Sequence, residues 1–167
     1  MKTLITNDDL QIIYTEEQDL HFVLQAEQAA DNSEWVSRWL AKEHTDALSC
    51  ADTLHLIIRH DGQSIGYIIV KGLLNPHNSI ELLRIVITTK GLGHGKMAIN
   101  LLKKWCFEQQ KAHRLWLDVK EHNLRAQHVY KTLGFKREGV LRECIRTEAG
   151  YRSLVVMSIL SQEYFAE

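Results

Sequence analysis

Glycine stands at every second position in Lys90-Gly91-Leu92-Gly93-His94-Gly95-Lys96. The run before it, Ile80-Glu81-Leu82-Leu83-Arg84-Ile85-Val86-Ile87, is apolar and β-branched, as a buried strand requires. The run after it, Met97-Ala98-Ile99-Asn100-Leu101-Leu102-Lys103-Lys104-Trp105, has helical periodicity. Strand, glycine loop and helix start is the layout in which unpaired backbone N–H groups face an anion. The loop is therefore a candidate phosphate cradle, and the competing reading is a glycine-rich connection with no ligand. It is not the dinucleotide fingerprint, which needs Gly-x-Gly-x-x-Gly in an early βαβ unit and an acidic residue roughly 20 positions on. Nor is it a Walker A loop, because Gly-Lys-Ser/Thr is missing.

The elements that must position this loop belong to a chain of 167 residues, enough for one well-buried domain and short for two. We read a single domain over 1–167 with its core at about 10–162. Formal net charge is −1, so no global basic field points to nucleic acid. No apolar run approaches the ~18 residues of a membrane span, and no secretory segment opens the chain. Cys50, Cys106 and Cys144 are odd in number and widely separated, as expected of a reduced, cytoplasmic protein.

Taken in order, Leu10 to Tyr14 is expected to be the first strand, and Glu16 to Asp19 to open a helix carrying Leu20, Phe22, Val23, Leu24 and Ala26. A second helix is expected from Asn32 or Ser33, with Ser33 as N-cap and Trp35, Val36, Trp39 and Leu40 at helical spacing. Trp35 and Trp39 are expected in the core, with a substrate-lining role as the alternative. Two β-rich runs, Thr53–His60 and Gln63–Val70, flank Asp61-Gly62, a pair that tolerates positive φ in a tight hairpin. Gly66 marks a bulge or close backbone approach, and Asn75 to Asn78 a turn. Ile80 then opens a third antiparallel strand, on which residues 81, 83, 85 and 87 should share a face.

The helix after the glycine loop should reach about Gln110, burying Ala98, Leu101, Leu102, Trp105 and Cys106 and wetting Lys103, Lys104, Glu108 and Lys111. Leu115 to Val119 is a strand parallel to the one before the loop. A short helix runs from an Asn123 cap to Leu133 with Gly134 as its stop, and two closing strands, Phe135–Cys144 and Arg152–Leu160, flank a turn at Glu148 to Gly150. The order β, αα, ββ, β, α, β, α, ββ is that of an α/β (α+β) domain around a mixed, mostly antiparallel sheet.

Lys90-Gly91-Leu92-Gly93-His94-Gly95 resembles Arg/Gln-x-x-Gly-x-Gly/Ala, the pyrophosphate loop of the GNAT superfamily of N-acetyltransferases, with Lys90 in the Arg/Gln slot. Asn123 to Gly139 resembles the second GNAT signature, Asn-x-x-Ala-x-x-x-Tyr-x-x-x-Gly-Phe-x-x-x-Gly. The two signatures stand in the family's order, each following a strand. Within the superfamily, Arg84 to Ile87 and Phe135 to Glu143 are most similar to the ribosomal-protein-alanine (RimJ/RimL-like) and polyamine acetyltransferases.

The resemblance implies the acyl-CoA N-acyltransferase fold, with one splayed parallel strand pair, and acetyl-CoA as cosubstrate. Backbone groups of Ile85, Val86 and Ile87 would pair with the pantetheine arm like an added strand. The amides of Leu92, Gly93, His94, Gly95 and Lys96 would cradle the pyrophosphate beside Lys90, and Asn123 would bond the arm. Lys96, Arg125 and Lys131 are candidates for outlying phosphates.

The implied reaction is direct attack of a primary amine on the thioester in a ternary complex. It needs a route for the amine proton, an oxyanion donor and an acid for the thiolate. Tyr130, at the family's tyrosine position and two helical turns after Asn123, fits the acid, and Glu81 is the candidate base, acting through water. The alternatives are a half-buried packing aromatic and a solvated strand-end glutamate. Nine histidines show no ligand spacing with cysteine, so no metal is expected. Cys106 lies in a helical stripe with no partnered histidine, against a nucleophile role.

The acceptor is expected to be a small-molecule amine or a protein N-terminus. Glu34 and Glu43 are candidate attractors for a cationic amine, and a homodimer is compatible with the sequence. Two other readings are a non-catalytic acyl-CoA-binding sensor on the same fold and a domain with no CoA site.

Overall fold

The computed structural model describes residues 2–166, without the side chains of 30 and 31. One eight-stranded sheet runs in the order β1-β2-β3-β4-β5-β6-β8-β7. Its strands are β1 (Thr3–Thr6), β2 (Gln11–Tyr14), β3 (Thr53–His60), β4 (Gln63–Lys71), β5 (Ser79–Ile87), β6 (Arg114–Lys120), β7 (Lys136–Thr147) and β8 (Gly150–Leu160). Among the described residues only β5 and β6 pair in parallel, and the other strand pairs are antiparallel. The helices are α1 (Leu20–Gln28), α2 (Ala30–Ser33), α3 (Ala41–Ser49), α4 (His94–Lys104), α5 (Leu124–Thr132) and α6 (Ser161–Tyr164). The mixed sheet with one parallel pair agrees with the expected fold. The expected order lacked β1, a strand of four residues too short to show alternation.

Period-2 alternation sends side chains to two cores. On one face, Ile12, Leu56, Ile68, Val70 and Leu82 pack with Ala98, Leu101 and Leu102 of α4 and with Trp105 just after it. On the other, Ile13, Ile57, Tyr67, Ile69 and Val86 pack with Val23 and Ala26 of α1. The β3–β4 hairpin turns on Asp61 (φ 49°) and Gly62 (φ 75°), as expected for Asp-Gly. Gly66 is a close approach: a Cβ there would lie 2.3 Å from the Val86 carbonyl oxygen, and the β3–β4 register shifts beside it.

Two local expectations fail for physical reasons. The helix expected from Ser33 through Leu40 does not form. α2 stops at Ser33, residues 37–40 have no regular structure, and the next helix begins at Ala41. Side chains from elsewhere take the backbone groups of this stretch. Glu27 accepts from the Trp39 N–H at 3.2 Å and Arg84 donates to the Ser37 carbonyl at 2.7 Å. Lys103, expected to be wet, is buried and donates Nζ to the Leu133 carbonyl at 2.7 Å. That bond satisfies an orphan carbonyl at the end of α5 while the lysine stem packs.

The site depends on β5. Its register with β4 pairs Ile69 with Arg84 and Val70 with Leu82, so Leu83 is an extra, bulged residue. The bulge inverts the alternation. Glu81 therefore shares a face with Arg84 and Val86, and the expected common face for 81, 83, 85 and 87 is corrected. On the β6 side, pairing covers only Ser79–Glu81 against Arg114–Trp116. Beyond Glu81 the two strands part, while β5 keeps its bonds to β4 and β6 its bonds to β8. A bulged strand bends and twists locally, which accounts for a gap opening there.

Candidate active site

The gap widens into a cleft of about 710 Å³, walled by β5 from Leu82 to Ile87, the glycine loop, β6 from Asp118 to Lys120, and α5. Leu82 to Ile87 present to this cleft the strand edge that β6 leaves unpaired. An extended ligand could accept and donate there as another strand would.

The loop meets the cleft at the N-terminus of α4, where Gly91 (φ +85°) and Gly93 (φ +79°) are left-handed. A Cβ at either would meet nothing within 4 Å, so conformation rather than space requires glycine. Gly93 is the N-cap of α4, with no side-chain cap, which leaves first-turn N–H groups available to an anion. Lys90, Gly93, His94, Gly95 and Lys96 stand on the wall, with Arg125 across from them on α5. The Leu92 side chain points outward, 64% exposed, and Lys131 lies off the wall.

Asn123 caps α5, its Oδ1 accepting from the Ala126 N–H at 3.1 Å, and it also faces the cleft. Tyr130 packs its ring against Phe135 (centroids 5.8 Å apart) and reaches the same wall. The residue is half-buried. Burial first and the Asp118 charge second push its hydroxyl up to about 12, so it stays protonated at neutral pH.

Asp118 lines the cleft and was not singled out in the sequence. Its carboxyl is raised above the usual range by burial. Glu81 is set one strand away. It pairs in register with Trp116, two residues before Asp118 on the same face of β6, and it does not reach the wall. Its carboxyl is also raised, by burial first and then by Asp118, while Lys71 opposes the shift. The signal that could have found Asp118 was its place as the only acid in an apolar strand, Leu115-Trp116-Leu117-Asp118-Val119.

Opposite the loop the wall is made by Asn32, Trp35, Val36, Ser37 and Trp39. Both tryptophans line the cleft, and the expected core packing is corrected for Trp35, while Trp39 also packs against the core as expected. Trp35 is 37% exposed, and Trp39 is half-buried against the smaller core. The Trp35 ring lies 5.3 Å from that of His122. Glu34 is exposed beside His122, and Glu43 caps α3 by accepting from the Leu40 N–H at 2.6 Å. Cys106 is fully buried and its thiol is raised by burial alone, unsuited to attack. Among the described residues no cluster of His, Cys, Asp and Glu could hold a metal ion, and no helix is long and apolar enough to cross a membrane.

The sequence matches the model of the Acetyltransferase (GNAT) family over residues 13–135. It is 27% identical over 165 residues to a spermidine N(1)-acetyltransferase of Escherichia coli K12, covering 91% of this chain and 86% of that protein. The fold is similar to that of spermidine N-acetyltransferase from Vibrio cholerae in complex with CoA and spermine. There the TM-score is 0.84 at 22% identity, over 95% of this chain and 99% of the other. A dodecameric structure of the Vibrio cholerae spermidine enzyme gives 0.80 at 23% identity, over 95% and 97% of the two chains. A family match across most of the length joins a cleft that opens where two parallel strands part beside a glycine loop, and the chain belongs to the GNAT family of acetyltransferases, with acetyl-CoA as its cosubstrate.

Proposed function

We propose that the protein transfers the acetyl group of acetyl-CoA to a primary alkylamine by direct attack in a ternary complex. The observation that carries this reading is one cleft lined by the glycine loop, Tyr130 and Asp118 together. Ile85, Val86 and Ile87 hold the pantetheine arm. The amides of Leu92 to Lys96, with Lys90, hold the pyrophosphate, and Asn123 bonds the arm.

The amine nitrogen attacks the thioester carbonyl carbon, the C–N bond forms and the C–S bond breaks. The amine proton passes to the Asp118–Glu81 carboxylate pair, reaching Glu81 through water. Tyr130 gives its hydroxyl proton to the departing thiolate and regains one from solvent. Trp35 and Trp39 suit an alkylammonium, whose charge an aromatic face attracts, and Asp118 supplies the counter-charge.

Spermidine is the first acceptor to try, given the relatives, and a protein N-terminal amine the second. A homodimer and a cytoplasmic setting, the latter supported by three unpaired cysteines, complete the reading. A panel of amines and N-terminal peptides assayed for CoA release tests it. Amine-dependent release is expected, and its absence across the panel would reject the reading.

The carboxylate pair also sets a pH dependence. Both acids are raised, so both protonate as pH falls and lose the capacity to take the amine proton. Activity should climb with pH through that raised range. Tyr130 adds no falling limb below about pH 11, because its hydroxyl titrates near 12. Asp118→Asn should lower kcat/KM by roughly 10–100-fold. It should also move the residual acid limb to lower pH, because Glu81 loses a negative neighbour. A pH–rate profile with an unmoved limb would contradict the pairing.

A further inference from the structure

Behind the tryptophan wall lies a buried polar cluster that the transfer chemistry does not use. Glu27, on α1, is 4% exposed. Its Oε1 accepts from the Tyr67 hydroxyl at 2.5 Å and from Arg84 Nη1. His44 Nε2 stands 3.3 Å from the same oxygen. Oε2 accepts from the backbone N–H of Trp39. Arg84, also buried, donates its other nitrogen to the Ser37 carbonyl and lays its guanidinium 4.6 Å from the Trp39 ring centroid.

His55 continues the network, with Nε2 3.0 Å from His44 Nδ1 and Nδ1 2.9 Å from Thr15 Oγ1. Burial drives the His55 imidazole down to about 3, so it carries one ring proton. Assigning the Thr15 hydroxyl as donor to His55 leaves each next N–H pointing toward Glu27.

Ser37 to Leu40 have no helix or strand to hold them. One carboxylate and one guanidinium fix the carbonyl of Ser37 and both the N–H and the ring of Trp39. A buried ion pair is often replaceable by apolar side chains without loss of stability, so stability alone does not account for it. What such a cluster can supply is a single defined position for the wall it grips.

We infer that Glu27 is a positioning residue for the acceptor. It does not reach the cleft, but through Arg84 and the Trp39 backbone it sets the wall that admits and aims the amine. This rests on the proposed amine acetylation.

The test is Glu27→Gln, which keeps the size of the side chain but removes the charge and turns one acceptor into a donor facing the Trp39 N–H. KM for spermidine and for phenethylamine, the ratio of their kcat/KM values, and the Kd for acetyl-CoA without amine are measured together. The expected result is a rise of roughly tenfold or more in amine KM and a changed ratio between the two amines. The acetyl-CoA Kd should stay within about twofold, and Glu27→Asp should recover part of the loss.

A purely structural role would lower kcat equally for both amines by reducing the folded fraction, leaving KM and the ratio alone. That outcome would overturn the inference. If Glu27→Gln fails to fold because Arg84 is left unpaired, Glu27→Gln/Arg84→Gln removes both charges. A folded double variant with wild-type amine KM and ratio would equally reject it. Failure of the proposed function would appear in the wild type itself, whereas failure of this inference appears only in the comparison.

Discussion

Tyr130→Phe should lower kcat by roughly 10²–10⁴-fold, the range for losing a positioned proton donor. The acetyl-CoA Kd should move by no more than about twofold, because the ring remains and only the hydroxyl is lost. Two features support the hydroxyl as the proposed donor: Tyr130 lines the cleft from α5, and burial with Asp118 keeps it protonated near neutral pH. Phenylalanine preserves the ring contact with Phe135, so the helix should keep its position. Stopped-flow measurement of thiol release, with calorimetry for cofactor binding, separates the two parameters. An unchanged kcat would mean that the thiolate takes its proton from another group.

Gly93→Val should act on the opposite parameter. Gly93 sits at φ +79°, and a β-branched residue held there costs about 1–3 kcal/mol of strain. A Cβ at this position meets no neighbour, so the exposed loop can escape by rotating rather than by unfolding the sheet. That rotation turns the first-turn N–H groups of α4 away from the cleft. We expect the Kd for acetyl-CoA to rise by roughly 100-fold or more, with little change in the urea midpoint. Gly95→Ala is the contrast, since its Cβ would lie 3.6 Å from Ile87 Cγ1, an ordinary contact. Wild-type acetyl-CoA affinity in Gly93→Val would show that the anion is held elsewhere.

The parts of the fold legible in the sequence are those determined by local chemistry. Asp61-Gly62 dictates a hairpin through positive φ, Asn123 caps α5 through its own carbonyl, and the α4 stripe follows from period 3.6. The parts that were not legible depend on residues distant in sequence. Trp35, Val36, Trp39 and Leu40 have helical spacing, yet Glu27 and Arg84 claim the backbone of that segment from 12 and 47 residues away. The bulge at Leu83 follows from the register of β4 against β5, and local alternation alone put Glu81 on the wrong face. Asp118 entered the site only once β6 was seen to part from β5. Lys103 looked solvated because its partner, the Leu133 carbonyl, lies 30 residues on.

The central claim is direct transfer to an amine, and initial rates with both substrates varied test it most directly. Double-reciprocal lines should intersect, and acetyl-CoA without amine should release no burst of CoA and leave no acetyl group on the protein. Parallel lines with a stoichiometric acetyl-enzyme would contradict the account, in which the amine attacks the thioester directly and Cys106 is too buried, with its thiol held protonated by burial, to carry the group.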